Sequence, residues 1–223
     1  MLVSHRKRFI YTKTVKTGGT SVEVYFEPYC FPTGAYVFSH ARDEHVAPEG
    51  IVGFRGPNPG QKQVTWFNHM SAEAIREKLG EAMWNAYFKF CVIRDPFDKV
   101  VSAFHFFALR REACNGMAFE EIKRRFKEWV KAGKLGIDRD KYLIGGEVCV
   151  DYFLRHETLA EGIREVCMRL EIPFEPSRLL HLKKGTRPDA HHFRDYYDRE
   201  SAETVARHFD FEIRHFGYRL PVE

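Results

Sequence analysis

The 223-residue chain has no cysteine pairing pattern. Its five cysteines, Cys30, Cys91, Cys114, Cys149 and Cys167, are scattered and odd in number, and no two form a C-x-x-C pair. That excludes a disulfide framework or a clustered zinc site as the basis of the fold. Cys91 and Cys149 lie inside apolar runs, where cysteine packs as a small hydrophobe, and such usage fits a reducing compartment. Long apolar runs are missing too. None is long enough for a signal peptide or a membrane span, so the expectation is a cytoplasmic protein with no stable membrane insertion. Charge of one sign is in short supply: 35 Lys and Arg stand against 31 Asp and Glu, a net +4. That excess suits an anionic ligand but is too weak to imply nucleic acid without a concentrated patch. No repeat, low-complexity tract or metal-ligand spacing occurs, so no metal is expected.

What the chain does have is apolar periodicity. Hydrophobic residues make up 44%, with twenty Phe, enough for an aromatic-rich core in one domain covering residues 1–223. A strand is predicted over 8–14, followed by a glycine-containing turn and a helix over 21–27. Residues 29–65 hold much of the Pro and Gly and read as an irregular insert, with a short strand at 36–38. Ser71 caps a helix over 71–79 that Gly80 ends. The apolar run 88–93 reads as a buried strand. Asp95-Pro96 then supplies an N-cap and a first-position proline for a helix whose face is Phe97, Val100, Val101, Phe104 and Ala108. Further helices are predicted over 119–130, 159–170 and 205–216, and a strand over 148–154. Phe97, Phe104, Phe119, Phe126, Phe209 and Phe216, at helical spacing, read as core. Alternating strands and helices predict an α/β, P-loop-like three-layer fold, its central, mainly parallel sheet flanked by helices.

Lys16-Thr17-Gly18-Gly19-Thr20-Ser21 joins the first strand to the first helix. Glycines there let the backbone approach an anion, and the helix start aims N–H groups at it. Lys16 adds a cation, and Thr17, Thr20 and Ser21 add hydroxyls. The nucleoside-triphosphatase pattern G-x-x-x-x-G-K-[ST] is not met, because Lys16 precedes the glycines. Alone, the hexapeptide is equally compatible with a turn that binds nothing. A second motif, Arg94-Asp95-Pro96-Phe97-Asp98-Lys99-Val100-Val101-Ser102, starts at the end of the buried strand, where ligands of open α/β sheets bind. Arg94 there suits a phosphate, or else a structural carboxylate; Ser102 is a donor, or else a small packing residue.

With a third block (Asp151 to Leu159, Tyr196-Tyr197-Asp198 and Phe216-Gly217-Tyr218), these motifs resemble the carbohydrate (membrane-type and bacterial) sulfotransferases, which use 3′-phosphoadenosine-5′-phosphosulfate (PAPS). That family has P-K-T-x-x-T-S, here Val15 to Ser21, and R-[DN]-P-x-x-[RK]-x-x-S, here Arg94 to Ser102. Val15 replaces the usual Pro, and Lys99 a common Arg.

The resemblance implies sulfuryl transfer from PAPS to an acceptor hydroxyl, on a carbohydrate, giving adenosine 3′,5′-bisphosphate. Lys16, Thr17, Gly18, Gly19, Thr20 and Ser21 would hold the 5′-phosphosulfate, with Lys16 also assisting departure of the phosphate. Arg94 and Ser102 would hold the 3′-phosphate, and Lys184, Gly185 and Arg187 would close over the nucleotide. His69, just before the helix at 71–79, falls where related enzymes place a catalytic His, and its ordinary pKa suits a general base. His40, Glu44 and His45 stand in reserve. His105 and His156, inside regular elements, read as structural, and His191 and His192 belong to a basic loop. The alternatives are a P-loop nucleotide kinase-like phosphotransferase and a non-catalytic nucleotide-binding protein.

Overall fold

Alternation along the first two strands sorts their side chains to opposite faces. In the computed structural model, which describes residues 1–56, 63–109, 116–133, 135–180 and 191–222, β1 is Leu2–Ser4 and β2 is Phe9–Tyr11. Leu2, Phe9 and Tyr11 join one buried cluster, and Val3 and Ile10 another, as a period of two requires. The first cluster includes Val22, Tyr25 and Phe26 of α1 (Gly19–Phe26). The second includes Ala72 and Ile75 of α2 (Ala72–Leu79) and Trp84 of α3 (Glu81–Ala86). The sheet is thus the middle of three layers.

The chain divides into two compact units, Met1–Ile93 with Asp138–Leu182, and Arg94–Ile137 with Lys183–Glu223. The first holds a six-stranded sheet ordered β3-β4-β1-β2-β5-β8, where β3 is His45–Ala47, β4 Gly50–Val52, β5 Phe88–Ile93 and β8 Tyr152–Arg155. Pairing is parallel for β2–β5 and β5–β8, and antiparallel for β1–β2, β1–β4 and β3–β4. The sheet is therefore mixed. Its parallel part is the one the sequence predicts, and it brings the carboxyl ends of β2, β5 and β8 to one edge. A small hairpin, β6 (Leu143–Ile144) with β7 (Glu147–Val148), lies outside it.

Several expectations are corrected here. No strand forms at 36–38, and 29–65 is not wholly irregular: β3 and β4 form a hairpin within it that pairs with β1. The strand expected over 148–154 is two pieces, because at 149–151 the backbone turns to other partners, Cys149 N to Tyr142 O and Asp151 N to Lys89 O. α6 (Leu159–Arg169) follows β8 and adds Ile163, Val166 and Cys167 to the α1 face of the sheet.

In the second unit, α4 (Pro96–Phe107) begins as its sequence dictates. Asp95 accepts from Phe97 N, and Pro96 fills the first turn. Phe97, Val101 and Phe104 pack with Ile122 and Phe126 of α5 (Phe119–Lys131) and with Tyr196 and Tyr197. The helix expected over 205–216 is two, α7 (Arg199–His208) and α8 (Asp210–Phe216). They are divided at Phe209, whose ψ of 29° leaves the helical range.

Candidate active site

The loop after β2 is held from below by its own side chains. The Thr14 hydroxyl lies 2.5 Å from the Val92 carbonyl oxygen and 2.8 Å from Thr17 Oγ1. A carbonyl only accepts, so the single Thr14 proton goes to Val92, and Thr17 must donate to Thr14. Both side chains are buried. The Thr17 hydroxyl, read from the sequence as a ligand donor, is thus turned inward and spent on Thr14. Val15 N donates to Asp138 Oδ2 at 2.6 Å, fixing the next turn of chain.

Two residues of the loop have left-handed backbone, Lys16 (φ 59°) and Gly18 (φ 77°). A non-glycine residue there costs about 1–2 kcal/mol and persists only where the surroundings impose it. Gly18 caps α1 without a side-chain hydrogen bond, and the first turn of α1 contains no acidic residue. A helix start of that kind suits an anion. Gly19 is required by space: a Cβ there would stand 2.7 Å from Tyr11 Oη, and Tyr11 donates to Gly19 O at 3.0 Å. Thr20 is half-buried and Ser21 is buried, its amide bonded to Gly18 O.

Two histidines bond backbone carbonyls of this stretch of chain. His69 Nδ1 lies 2.9 Å from Lys13 O, and His156 Nδ1 lies 3.0 Å from Thr17 O. Each carbonyl requires the proton on Nδ1. In neutral His69 the lone pair is therefore on Nε2, the form a general base needs. His69 is also left-handed, at φ 60°. Its burial, and then the nearby Lys13 cation, push its pKa down to about 4, which corrects the ordinary value expected from the sequence.

Below the loop, the Lys13 ammonium meets Glu23 Oε2 at 2.5 Å. Glu23 also receives Arg55 at 2.9 Å and the α-ammonium of Met1 at 3.0 Å, all essentially buried. Burial alone would raise the Glu23 carboxyl, but these three cations hold it well below the usual carboxylate range. One turn on, Glu27 pairs with Arg55 and Arg42. Arg55 also donates to the carbonyls of Ser39 and His40, at 2.8 and 3.0 Å, so the network runs from the loop to the segment before β3. Nothing in the local pattern of Lys13, Glu23 or Arg55 announces it.

In the second unit, Arg94 directs Nε and Nη2 at Asp98 Oδ2, at 2.8 and 2.6 Å. The structural carboxylate that the sequence left as an alternative is therefore present, and a phosphate would have to compete with it. Ser102 is buried within α4. Lys184, Gly185 and Arg187 lie outside the described residues.

The reserve residues have structural partners. Glu44 accepts from the backbone of Thr65 and Trp66, at 3.0 and 2.7 Å. His45 stacks on Phe31, and His40 meets Phe38 edge-on. His105 bonds Tyr196 Oη at 2.8 Å inside the second core, as expected. His191 stacks on Phe119, and His192 caps a short turn. Among the described residues, no group of three or more His, Cys, Asp or Glu is placed to hold a metal ion, and no helix is long and apolar enough to cross a membrane.

The model of the sulfotransferase family matches residues 1–219, nearly the whole chain. The chain belongs to the sulfotransferase family. An uncharacterized protein of Archaeoglobus fulgidus is 27% identical to this chain over 106 residues, which is 48% of this chain and 86% of the relative. No solved structure matches. Membership points to sulfuryl transfer as the reaction class.

Proposed function

We propose that the chain transfers a sulfuryl group from PAPS to a hydroxyl of a carbohydrate acceptor, with adenosine 3′,5′-bisphosphate as the second product. The observation that carries this reading is the turn Lys16–Ser21. It has left-handed Lys16 and Gly18, a Gly19 where a Cβ would crowd Tyr11 Oη, and a helix start without acidic residues. Such a turn fits a phosphate-bearing group, as in P-loop-like folds, while its Lys placement departs from the triphosphatase pattern. When bound, PAPS supplies a sulfuryl group on a phosphate leaving group.

Lys16 and the start of α1 would hold the 5′-phosphosulfate and stabilise charge growing on the departing phosphate oxygen. His69 would accept the acceptor hydroxyl proton at Nε2 while Nδ1 stays on Lys13 O. Burial keeps His69 neutral near pH 7, so the accepting form is populated, but its lowered pKa makes it a weaker base than an ordinary imidazole. By resemblance of motif, Arg94 and Ser102 would hold the 3′-phosphate, Arg94 by exchanging part of its pairing with Asp98. The segment before β3, braced by Arg55, is the proposed acceptor side.

The test is transfer of labelled sulfate from PAPS to a panel of saccharides, phenols and tyrosine peptides. Labelled saccharide that disappears in Lys16→Ala supports the reading. Labelling confined to phenols or peptides contradicts the carbohydrate acceptor, and undiminished transfer by Lys16→Ala contradicts the role of the loop.

A further inference from the structure

His156 falls within the block Asp151 to Leu159, where no role is implied for it, and its place in a regular element makes it read as a packing residue. Its surroundings say otherwise. β8 ends at Arg155, which pairs with Ile93 at the end of β5, so His156 stands at the carboxyl edge of the sheet. From there its Nδ1–H reaches the Thr17 carbonyl, 139 residues away in sequence. Thr17 O precedes α1 and is no part of its hydrogen-bond ladder, whose first acceptor is Gly18 O. A buried carbonyl needs a partner, and the imidazole is that partner.

The ring also occupies the space above Gly18. A Cβ at Gly18 would lie 2.9 Å from His156 Nδ1 and 3.2 Å from Cε1. In a trans peptide, C=O and N–H point in opposite directions. Holding the Thr17 oxygen toward His156 therefore fixes the direction in which the Gly18 N–H points. In an anion-binding turn, that direction decides whether the amide meets the ligand.

We propose that His156 is a positioning residue for the 5′-phosphosulfate: by fixing the Thr17–Gly18 peptide it aims the Gly18 N–H at the phosphate-bearing end of the donor. This rests on the reading of Lys16–Ser21 as the phosphosulfate loop.

The test compares binding of adenosine 3′,5′-bisphosphate with that of adenosine 3′-monophosphate, by calorimetry, in wild type, His156→Asn and His156→Gln. Asn presents an amide N–H where Nδ1 stands, whereas Gln presents it near the Nε2 position; both are polar and of similar size. The wild type should prefer the bisphosphate. His156→Gln should lose roughly three- to tenfold of that preference, the loss of one hydrogen bond, with monophosphate binding unchanged. His156→Asn should stay within about twofold of wild type on the same scale. With PAPS, KM should rise in His156→Gln more than kcat falls. Full preference retained in both variants, or equal loss for both nucleotides, overturns the role of His156 alone. A wild type that does not distinguish the nucleotides overturns the loop reading itself.

Discussion

The ring of His69 gives its Nδ1–H to the backbone carbonyl of Lys13, 2.9 Å away, while the Lys13 ammonium lies 2.5 Å from the buried Glu23 carboxylate. One lysine thus fixes the tautomer of the proposed base through its backbone and lowers its pKa through its charge. Imidazolium beside an ammonium in a desolvated site is doubly disfavoured.

This sets the pH dependence. The accepting form of His69 exists above its pKa and is lost as pH falls through it. The free-enzyme pKa is held near 4, so kcat/KM should stay flat from neutral pH down to about 5 and then fall. His69→Ala should lower turnover by roughly 10²–10⁴-fold while bisphosphate binding stays nearly intact. A limb near 6.5, or loss of binding together with turnover, would contradict the assignment.

Thr17 should behave as a brace. Its hydroxyl is spent on Thr14, so Thr17→Val should cost about 1 kcal/mol of stability, roughly 2–4 °C in Tm for a chain of this size. Bisphosphate affinity should change little. A large loss of affinity with unchanged Tm would mean that the hydroxyl faces the ligand instead.

Gly19 is confined by Tyr11. Gly19→Ala should destabilise by about 1–3 kcal/mol through overpacking, since the new methyl meets Tyr11 Oη at 2.7 Å. Tyr11→Phe removes that oxygen. The double variant should therefore be more stable than the two single losses added together, a coupling that a chemical-denaturation cycle measures. Additive losses would show that the contact is not the cause.

The Glu23 cluster should dominate acid sensitivity. Removing its charge leaves Lys13 and Arg55 without their buried partner, so Glu23→Gln should cost about 3–5 kcal/mol. The folded pKa of Glu23 is depressed, so its stabilisation is present above about pH 4.5, its ordinary value, and is lost as pH falls. Urea midpoints of the variant should accordingly depend less on pH below that point than those of wild type.

The parts of the fold that were legible are those with a local cause. The apolar run 88–93, the Asp95-Pro96 start and the Ser71 cap all stand where their sequence puts them. β3 and β4 escaped because three residues carry too little periodicity, and Phe209 sits at helical spacing although its backbone breaks the helix. At the candidate site, the turn between β2 and α1 was legible from its glycines. The inward Thr17 hydroxyl, the Asp98 partner of Arg94, the Lys13–Glu23 pair and the reach of His156 depend on how the chain packs, and no spacing in the sequence specifies them.

The central claim is that Lys16–Ser21 binds the phosphate-bearing end of an adenosine bisphosphate. Thermal unfolding with adenosine 3′,5′-bisphosphate, and separately with ATP and Mg²⁺, tests it most directly. The bisphosphate should raise Tm with increasing concentration, as ligand linkage requires, in wild type but not in Lys16→Ala, and ATP with Mg²⁺ should leave Tm unchanged. Stabilisation by ATP and Mg²⁺ without any by the bisphosphate would contradict the account.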